Sequence, residues 1–159
     1  MNAVTKSGSN AFSGSFRTSF TNDAWRTKTP FGEPQLNATV PAYEFTLGGP
    51  IVRDKTWFFG AGRLENRDTA EQTFITKIPY TSGNDESRYE AKVTQSLGMA
   101  QRLQVGYIGV SHKDTDADTA AIASGAMDLA SLVTRELPQQ QISAHYTGTF
   151  GSKFFVESQ

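Results

Sequence analysis

The chain has 159 residues, a length typical of one domain, and its 15 basic and 16 acidic residues give a net charge of −1. This balance excludes the basic footprint of a nucleic-acid-binding protein, and the absence of cysteine excludes disulfide frameworks, cysteine-based zinc clusters and thiol nucleophiles. The chain is polar on average, with a mean hydropathy of −0.44, yet it contains 11 Phe, 5 Tyr and 14 Gly. This combination indicates β structure rather than a helical bundle.

Alternation of apolar and polar residues predicts seven β-strands. The alternating segments are residues 12–21, 43–48, 56–67, 88–97, 102–107, 142–150 and 154–157. Some of them, such as residues 102–113, reach the length of about 9–11 residues that a tilted membrane-spanning strand needs. Strands of soluble sheets are usually shorter, at about 5 or 6 residues.

The connections between these segments alternate in length. Residues 53–55, 98–101 and 151–152 form short turns, whereas residues 22–41, 68–85 and 114–138 form long polar connections. Up-and-down outer-membrane barrels have this asymmetry, with short periplasmic turns and long extracellular loops. The pattern therefore predicts an all-β, antiparallel transmembrane barrel segment. A secreted soluble β-sandwich that binds carbohydrate is the alternative, because alternation serves both architectures.

One segment, residues 124–136, has the spacing of a short helix. Its apolar residues are Met127, Leu129, Ala130, Leu132 and Val133, and Pro138 follows as a stop signal. We expect a short helix packed within the long connection, since short helices depend on tertiary packing for their stability.

Motifs of nucleotide binding and of nucleophilic catalysis are absent from the sequence, so we predict neither an enzyme nor a bound cofactor. The two histidines, His112 and His145, fall on different predicted strands and predict no metal site. Asp114, Asp116 and Asp118 match the opening of a calcium loop, but Thr119 stands where that loop requires glycine. Gly125 stands where the closing glutamate should be, so we expect a solvated acidic loop without an assigned ion.

Four segments resemble the TonB-dependent outer-membrane receptors, and within them the Oar-like subgroup. "NAVTKSGSNAFSGSF" is similar to the junction between the last plug strand and the first barrel strand. "FTLGGPIVRDKTWFFGAGRLEN" is similar to the second strand, first periplasmic turn and third strand. "SRYEAKVTQSL" and "ISAHYTGTFGSKFFVESQ" resemble later hairpins of the barrel.

The resemblance implies a domain organisation. Residues 1–10 would be the end of the plug and the plug–barrel junction, and residues 11–159 the N-terminal part of an incomplete barrel. About seven strands of a larger barrel would be present. The signal peptide, TonB box and most of the plug of such receptors have no counterpart in this sequence, so we expect a fragment.

The resemblance also implies a function, namely energy-coupled uptake of a ligand across the outer membrane of a Gram-negative bacterium. The partners would be outer-membrane lipid, the plug domain, the remaining barrel strands and the inner-membrane TonB energy complex. An Oar-like role in surface adhesion or secretion is an alternative that the sequence does not separate from import.

Residue roles follow from the barrel interpretation. Aromatic side chains next to the short turns would form a girdle at the lipid headgroups, namely Trp57, Phe58, Phe59, Phe154 and Phe155. Polar residues on the strands would face the lumen, where they would contact the plug or line the ligand path. They are Arg17, Arg88, Glu90, Lys92, Arg102 and Gln104.

Overall fold

A computed structural model describes residues 8–28, 30, 35–118, 126–151 and 154–159. These residues form one antiparallel sheet of eight strands and two single-turn 3-10 helices, at Asp23–Trp25 and Leu129–Ser131. The all-β, antiparallel prediction is confirmed. The strands are β1 (Ser13–Asn22), β2 (Thr39–Val52), β3 (Thr56–Gln72), β4 (Pro79–Ser96), β5 (Gln101–Ala117), β6 (Val133–Glu136), β7 (Gln139–Phe150) and β8 (Phe154–Ser158).

Strand order follows chain order, as in an up-and-down sheet. The order is β1-β2-β3-β4-β5-β7-β8, and β6 pairs with β5. Both β6 and β7 lie along the same edge of β5, because β7 pairs with residues 101–110 and β6 with residues 113–117. Pro138 separates the two strands and has no N–H to donate to the ladder. All seven predicted strands are therefore present. The additional strand, β6, pairs with the part of β5 that lies beyond the end of β7.

The predicted helix over residues 124–136 is wrong in its described part, residues 126–136. That part contains one 3-10 turn, Leu129–Ser131, followed by the strand Val133–Glu136. Pairing with β5 supplies backbone partners for β6, and the N–H of Leu137 donates to the carbonyl of His112 at 2.8 Å. Tertiary pairing thus overrides a helical spacing that only a few apolar residues support.

The prediction of a long loop over residues 68–85 is also wrong. β3 and β4 stay paired as far as Gln72 and Pro79, so their connection is only residues 73–78. The residues of this hairpin nearest the 73–78 connection are polar on both faces. They therefore lack the apolar–polar alternation from which strands are predicted. The connection after β1 is long, as predicted, and spans residues 23–38.

The short turns are confirmed where the structure describes them. The first turn is residues 53–55, where the N–H of Lys55 donates to the carbonyl of Val52 at 3.1 Å. Glycines occupy left-handed positions in the other two, with φ of +88° at Gly98 and +63° at Gly151. Glycine adopts this conformation without the steric cost that a β-carbon brings. Ser152, the predicted second residue of the last turn, lies outside the described residues.

Candidate functional site

The sheet has one polar and one apolar face. Residues directly opposite each other in an antiparallel ladder point to the same side. Arg17 lies opposite Glu44, Glu44 opposite Arg63, and Arg63 opposite Arg88. The same register places on this face all six residues predicted to face the lumen, namely Arg17, Arg88, Glu90, Lys92, Arg102 and Gln104. We call it the polar face; that it lines a lumen stays a prediction.

The opposite face, here called the apolar face, carries large hydrophobic side chains from six strands. Most are exposed although they are apolar, and a soluble protein rarely leaves so large a continuous patch uncovered. It includes Phe16, Phe45, Leu47, Phe58, Tyr89, Val93, Val105, Tyr107 and Ile142.

In the part of β4 nearest its short turn, the polar face is more buried than the apolar face. Lys92 on the polar face is 4% exposed and Thr94 is 2% exposed, whereas Val93 between them is 44% exposed on the apolar face. The described residues form a single sheet, so this burial arises from side chains that crowd one another on the same face. At these positions the polar face is therefore the more buried of the two faces.

Opposite charges are interleaved across the strands of the polar face. Glu44 lies 3.8 Å from both Arg17 and Arg63, and Glu65 lies 2.5 Å from Arg63 and 2.7 Å from Arg67. These pairs are partly exposed, and exposed pairs contribute only about 0–1 kcal/mol each. Their effect is to make the face hydrophilic and nearly neutral rather than to stabilise the sheet strongly.

The chain that precedes β1 runs onto the polar face and is attached to the first short turn by Asn10. The Asn10 side chain donates to the carboxylate of Asp54 at 2.5 Å and accepts from the N–H of Asp54 at 3.0 Å. It also accepts from the indole N–H of Trp57 at 2.8 Å. Gly8 lies against Gly48 on this face, and a β-carbon at Gly8 would collide with the carbonyl of Phe58. We call these contacts the Asn10 tether.

Sequence reasoning missed the Asn10 tether. Its partners are separated from Asn10 by 44 and 47 residues, so no local pattern links them. The glycine pair at Gly48 and Gly49 was the available signal, because adjacent glycines within a strand mark the close approach of another backbone.

Comparison with known protein families identifies the architecture. The family model described as outer membrane beta barrel domain matches residues 4–84, about half of the chain. The chain belongs to this family. No curated protein and no solved structure matches it. The predicted barrel fold and the outer-membrane location are thereby confirmed at the level of this family, and the strands are transmembrane strands.

The barrel register divides the five predicted girdle aromatics between the two faces. Phe58 and Phe154 lie on the apolar face, whereas Trp57, Phe59 and Phe155 lie on the polar face. Neighbouring residues of a strand point to opposite sides, so a run of three aromatics cannot face lipid as a whole. Only Phe58 and Phe154 therefore lie on the face predicted to contact lipid, and the girdle itself stays a prediction.

Two of the polar-face aromatics, Trp57 and Phe59, have cationic neighbours. The guanidinium of Arg102 lies 6.0 Å from the ring centre of Trp57, and the ammonium of Lys92 lies 5.7 Å from that of Phe59. Distances near 6 Å allow a cation–π attraction, which is larger where the groups are shielded from water. These contacts hold the two rings against the polar face of the sheet.

A second polar cluster, here called the outer cluster, lies at the end of the sheet with the long connections. Asp114 is buried and accepts from the guanidinium Nε of Arg135 at 2.6 Å and from the amide of Asn84 at 2.9 Å. His112 Nε2 lies 2.9 Å from the same carboxylate. Arg135 belongs to β6, so the outer cluster attaches β6 to the body of the sheet.

Asp114 lies about 33 Å from the short turn before β5, beyond an apolar band about 25 Å tall, and its environment favours its charged form. The hydrogen bond from Arg135 lowers the pKa of the Asp114 carboxyl, and the Asn84 amide and His112 add to this against the opposing effect of burial. The solvated acidic loop predicted from Asp114, Asp116 and Asp118 is therefore wrong for its first residue. Asp114 and Asp116 both belong to β5, although Asp116 has a φ of +52° at an irregularity in its pairing with β6.

Both histidines have a carboxylate neighbour. His112 Nε2 contacts the carboxylate of Asp114 on the same strand, and His145 Nε2 lies 3.4 Å from the carboxylate of Glu157 on the next strand. Across the described residues, no group of three or more His, Cys, Asp or Glu side chains is arranged to hold a metal ion. In the same part of the chain, no helix is long and apolar enough to span a bilayer.

A cavity of about 470 Å³ opens at the outer end of β1, β2 and β3. Its walls come from the end of β1, the 3-10 turn Asp23–Trp25, residues 36–40 and the outer part of β3. Phe20 and Trp25 supply aromatic walls, and Asp23, Arg26, Arg67 and Asp68 supply charged ones. We call it the outer pocket. Sequence reasoning missed it because many of its residues come from a connection whose polar composition predicts only a loop.

Proposed function

We propose that this barrel is part of a TonB-dependent receptor of the Oar-like kind, which takes up a ligand across the outer membrane of a Gram-negative bacterium with energy from the inner membrane. The observation that carries the proposal is the Asn10 tether. It brings the chain before β1 onto the polar face beside a short turn. In an outer-membrane barrel that position is the periplasmic mouth of the lumen. A plug that is continuous with the first barrel strand enters the lumen at that mouth.

The proposal assigns residues 1–10 to the end of the plug and the junction, and residues 11–159 to the barrel. The six residues Arg17, Arg88, Glu90, Lys92, Arg102 and Gln104 would then face the plug or the ligand path. Their face offers donors and acceptors of both charges. A plug held by many weak, exposed polar pairs can be displaced by a pulling force without unfolding the barrel wall.

The partners in this proposal are outer-membrane lipid on the apolar face, the plug and further barrel strands, and the TonB energy complex. TonB would reach the receptor through the region that precedes the barrel in this family of receptors. The protein would carry out transport and catalyse no reaction. No cofactor is part of the proposal.

The test is in-cell cross-linking of the full-length protein to TonB. We expect a covalent adduct in cells that contain TonB and none in cells from which TonB has been deleted. A known TonB-dependent receptor in the same cells serves as the positive control. The proposal is overturned if that control forms its adduct and this protein does not. Surface attachment that needs this protein and is equal with and without TonB would indicate the adhesion role.

A further inference from the structure

The outer pocket has the features of a ligand site that faces the cell exterior. It lies at the end of the sheet with the long connections, which in outer-membrane barrels is the extracellular end. Its volume of about 470 Å³ falls within the usual range of small-molecule pockets, about 300–1,000 Å³. None of the six polar-face residues assigned to the transport function lines it, although Arg67, which also lies on the polar face, does.

The aromatic walls of the pocket are not covered by other described side chains. Trp25 is 67% exposed and Phe20 is 52% exposed. In the described part of the chain the Trp25 indole makes no ring contact and its N–H has no hydrogen-bond partner. A flat apolar surface with one polar edge is therefore open to a ligand at this site.

The polar walls of the pocket are electrically balanced. Asp23 and Arg26 form an ion pair at 2.5 Å, and Arg67 pairs with Glu65 at 2.7 Å. The carboxylate of Asp68 has no partner among the described residues. An anion would find both guanidinium groups already paired, and the cavity walls hold two acidic and two basic side chains. The pocket therefore favours a neutral ligand that makes several directional hydrogen bonds.

We propose that the outer pocket binds a neutral saccharide. A sugar ring presents an apolar C–H face, which packs on an aromatic ring, and hydroxyl groups, which pair with carboxylate, amide and guanidinium groups. Trp25 would supply the packing surface, and Asp68 would accept hydrogen bonds from the hydroxyls. The cavity has room for a short oligosaccharide.

A neutral saccharide could arrive free in solution or as the outer part of a surface glycolipid. The chemistry of the two is the same at the pocket. The proposal rests on the outer-membrane location of the barrel and not on energy coupling. Its failure would therefore leave the TonB-dependent proposal untouched, and the cross-linking result would not bear on it.

The test uses the full-length protein, purified from outer membranes in detergent and applied to a printed array of neutral and acidic oligosaccharides. We expect binding to one or more neutral oligosaccharides, and the strongest of these is then titrated by calorimetry. Trp25→Ala should weaken that binding about tenfold, the magnitude of one lost aromatic contact. Asp68→Asn should weaken it about threefold or more, as expected for one impaired hydrogen bond.

The matched control is Phe74→Ala, which removes an exposed aromatic ring from the neighbouring connection, residues 73–78, without touching the pocket. It should bind as the wild-type protein does. Heat-dependent migration on gels shows whether each variant is folded, and Asp68→Asn decides the question if Trp25→Ala does not fold. The proposal is overturned if no neutral oligosaccharide binds, if acidic ones bind more tightly, or if the folded pocket variants bind like the wild type.

The same titration separates the two sources of the saccharide. The selected oligosaccharide is offered free and, in a second arm, attached to a lipid in phosphatidylcholine vesicles. Equal affinity in the two arms indicates a soluble ligand, and binding confined to the vesicle arm indicates a surface glycolipid. Either result supports a saccharide site.

Discussion

Arginine at Val105 should destabilise the barrel strongly, whereas arginine at the adjacent Gln104 should not. Val105 lies on the apolar face between Val93 and Ala144, and Gln104 lies on the polar face between Thr94 and His145. The two positions are at the same depth in the same strand, so the pair isolates the effect of the face.

The size of the expected loss of stability follows from the depth of Val105 in the bilayer. Val105 is the fifth residue of β5, which begins at Gln101 directly after a short turn. Four residues at about 3.3 Å each, along a strand tilted by about 40°, place it about 10 Å inside the turn. That is close to the middle of an apolar band about 25 Å tall, where an arginine costs about 2–4 kcal/mol. We expect about 3 kcal/mol for Val105→Arg and less than about 1 kcal/mol for Gln104→Arg.

The assay is reversible unfolding in guanidinium of the full-length protein inserted into phospholipid vesicles. Tryptophan fluorescence and heat-dependent gel migration report folding, and the midpoints of the two variants are compared at equal slope. Equal costs at the two positions would refute the assignment of the faces. A larger cost at Gln104 would reverse it.

Three further predictions follow from the same register. Thr76 and Met99 occupy connections at opposite ends of the sheet. Thr76→Cys should therefore react with a membrane-impermeant maleimide in intact cells, and Met99→Cys should react only after the outer membrane is permeabilised. The reverse labelling pattern would invert the topology. Asn10→Ala removes three side-chain hydrogen bonds and should lower the free energy of unfolding by about 1–2 kcal/mol. The control Ser9→Ala should lower it by less than about 0.5 kcal/mol, and equal losses would argue against the Asn10 tether. The hydrogen bond from Arg135 to ionised Asp114 stabilises the docking of β6 above the ordinary carboxyl pKa of about 3.9, and this stabilisation is lost as pH falls through the lowered value. The protection of the β6 amides, measured as hydrogen exchange relative to the intrinsic rate at each pH, should therefore fall below about pH 4, and Asp114→Asn should abolish that dependence.

Period-two alternation located the strands wherever one face is apolar and the other polar. The segment from Arg102 to Tyr107 shows this well, since every second side chain is apolar and β5 contains all of it. The six lumen candidates share one face because each occupies a polar position of such a segment, and the pairing register keeps those positions together.

Alternation fails where both faces of a strand meet water. The outer parts of β3 and β4, beyond Asn66 and before Ser87, are polar on both sides, so the sequence signal resembles that of a loop. β6 was missed for a different reason. Its four residues are too few for a period to emerge, and its stability comes from β5 and from the contact of Arg135 with Asp114.

The functional sites depend on contacts between distant parts of the chain, which composition and spacing do not encode. The Asn10 tether joins residues more than forty positions apart, and the outer pocket assembles Trp25 with Asp68 across two strands. The aromatic run at Trp57 shows the limit in detail. Its position beside a short turn was predictable, but the division of its rings between the two faces depends on the pairing of β3.

The most direct test of the account is spin-label accessibility along β5 in the full-length protein in lipid vesicles. Single labels at residues 102 to 107 report contact with oxygen, which concentrates in the lipid, and with a water-soluble nickel chelate. The account predicts alternation with a period of two, with high oxygen contact at residues 103, 105 and 107 and low oxygen contact at residues 102, 104 and 106. Alternation in the opposite phase, or uniform contact with the nickel chelate at all six positions, would contradict a barrel wall with its polar face turned inward.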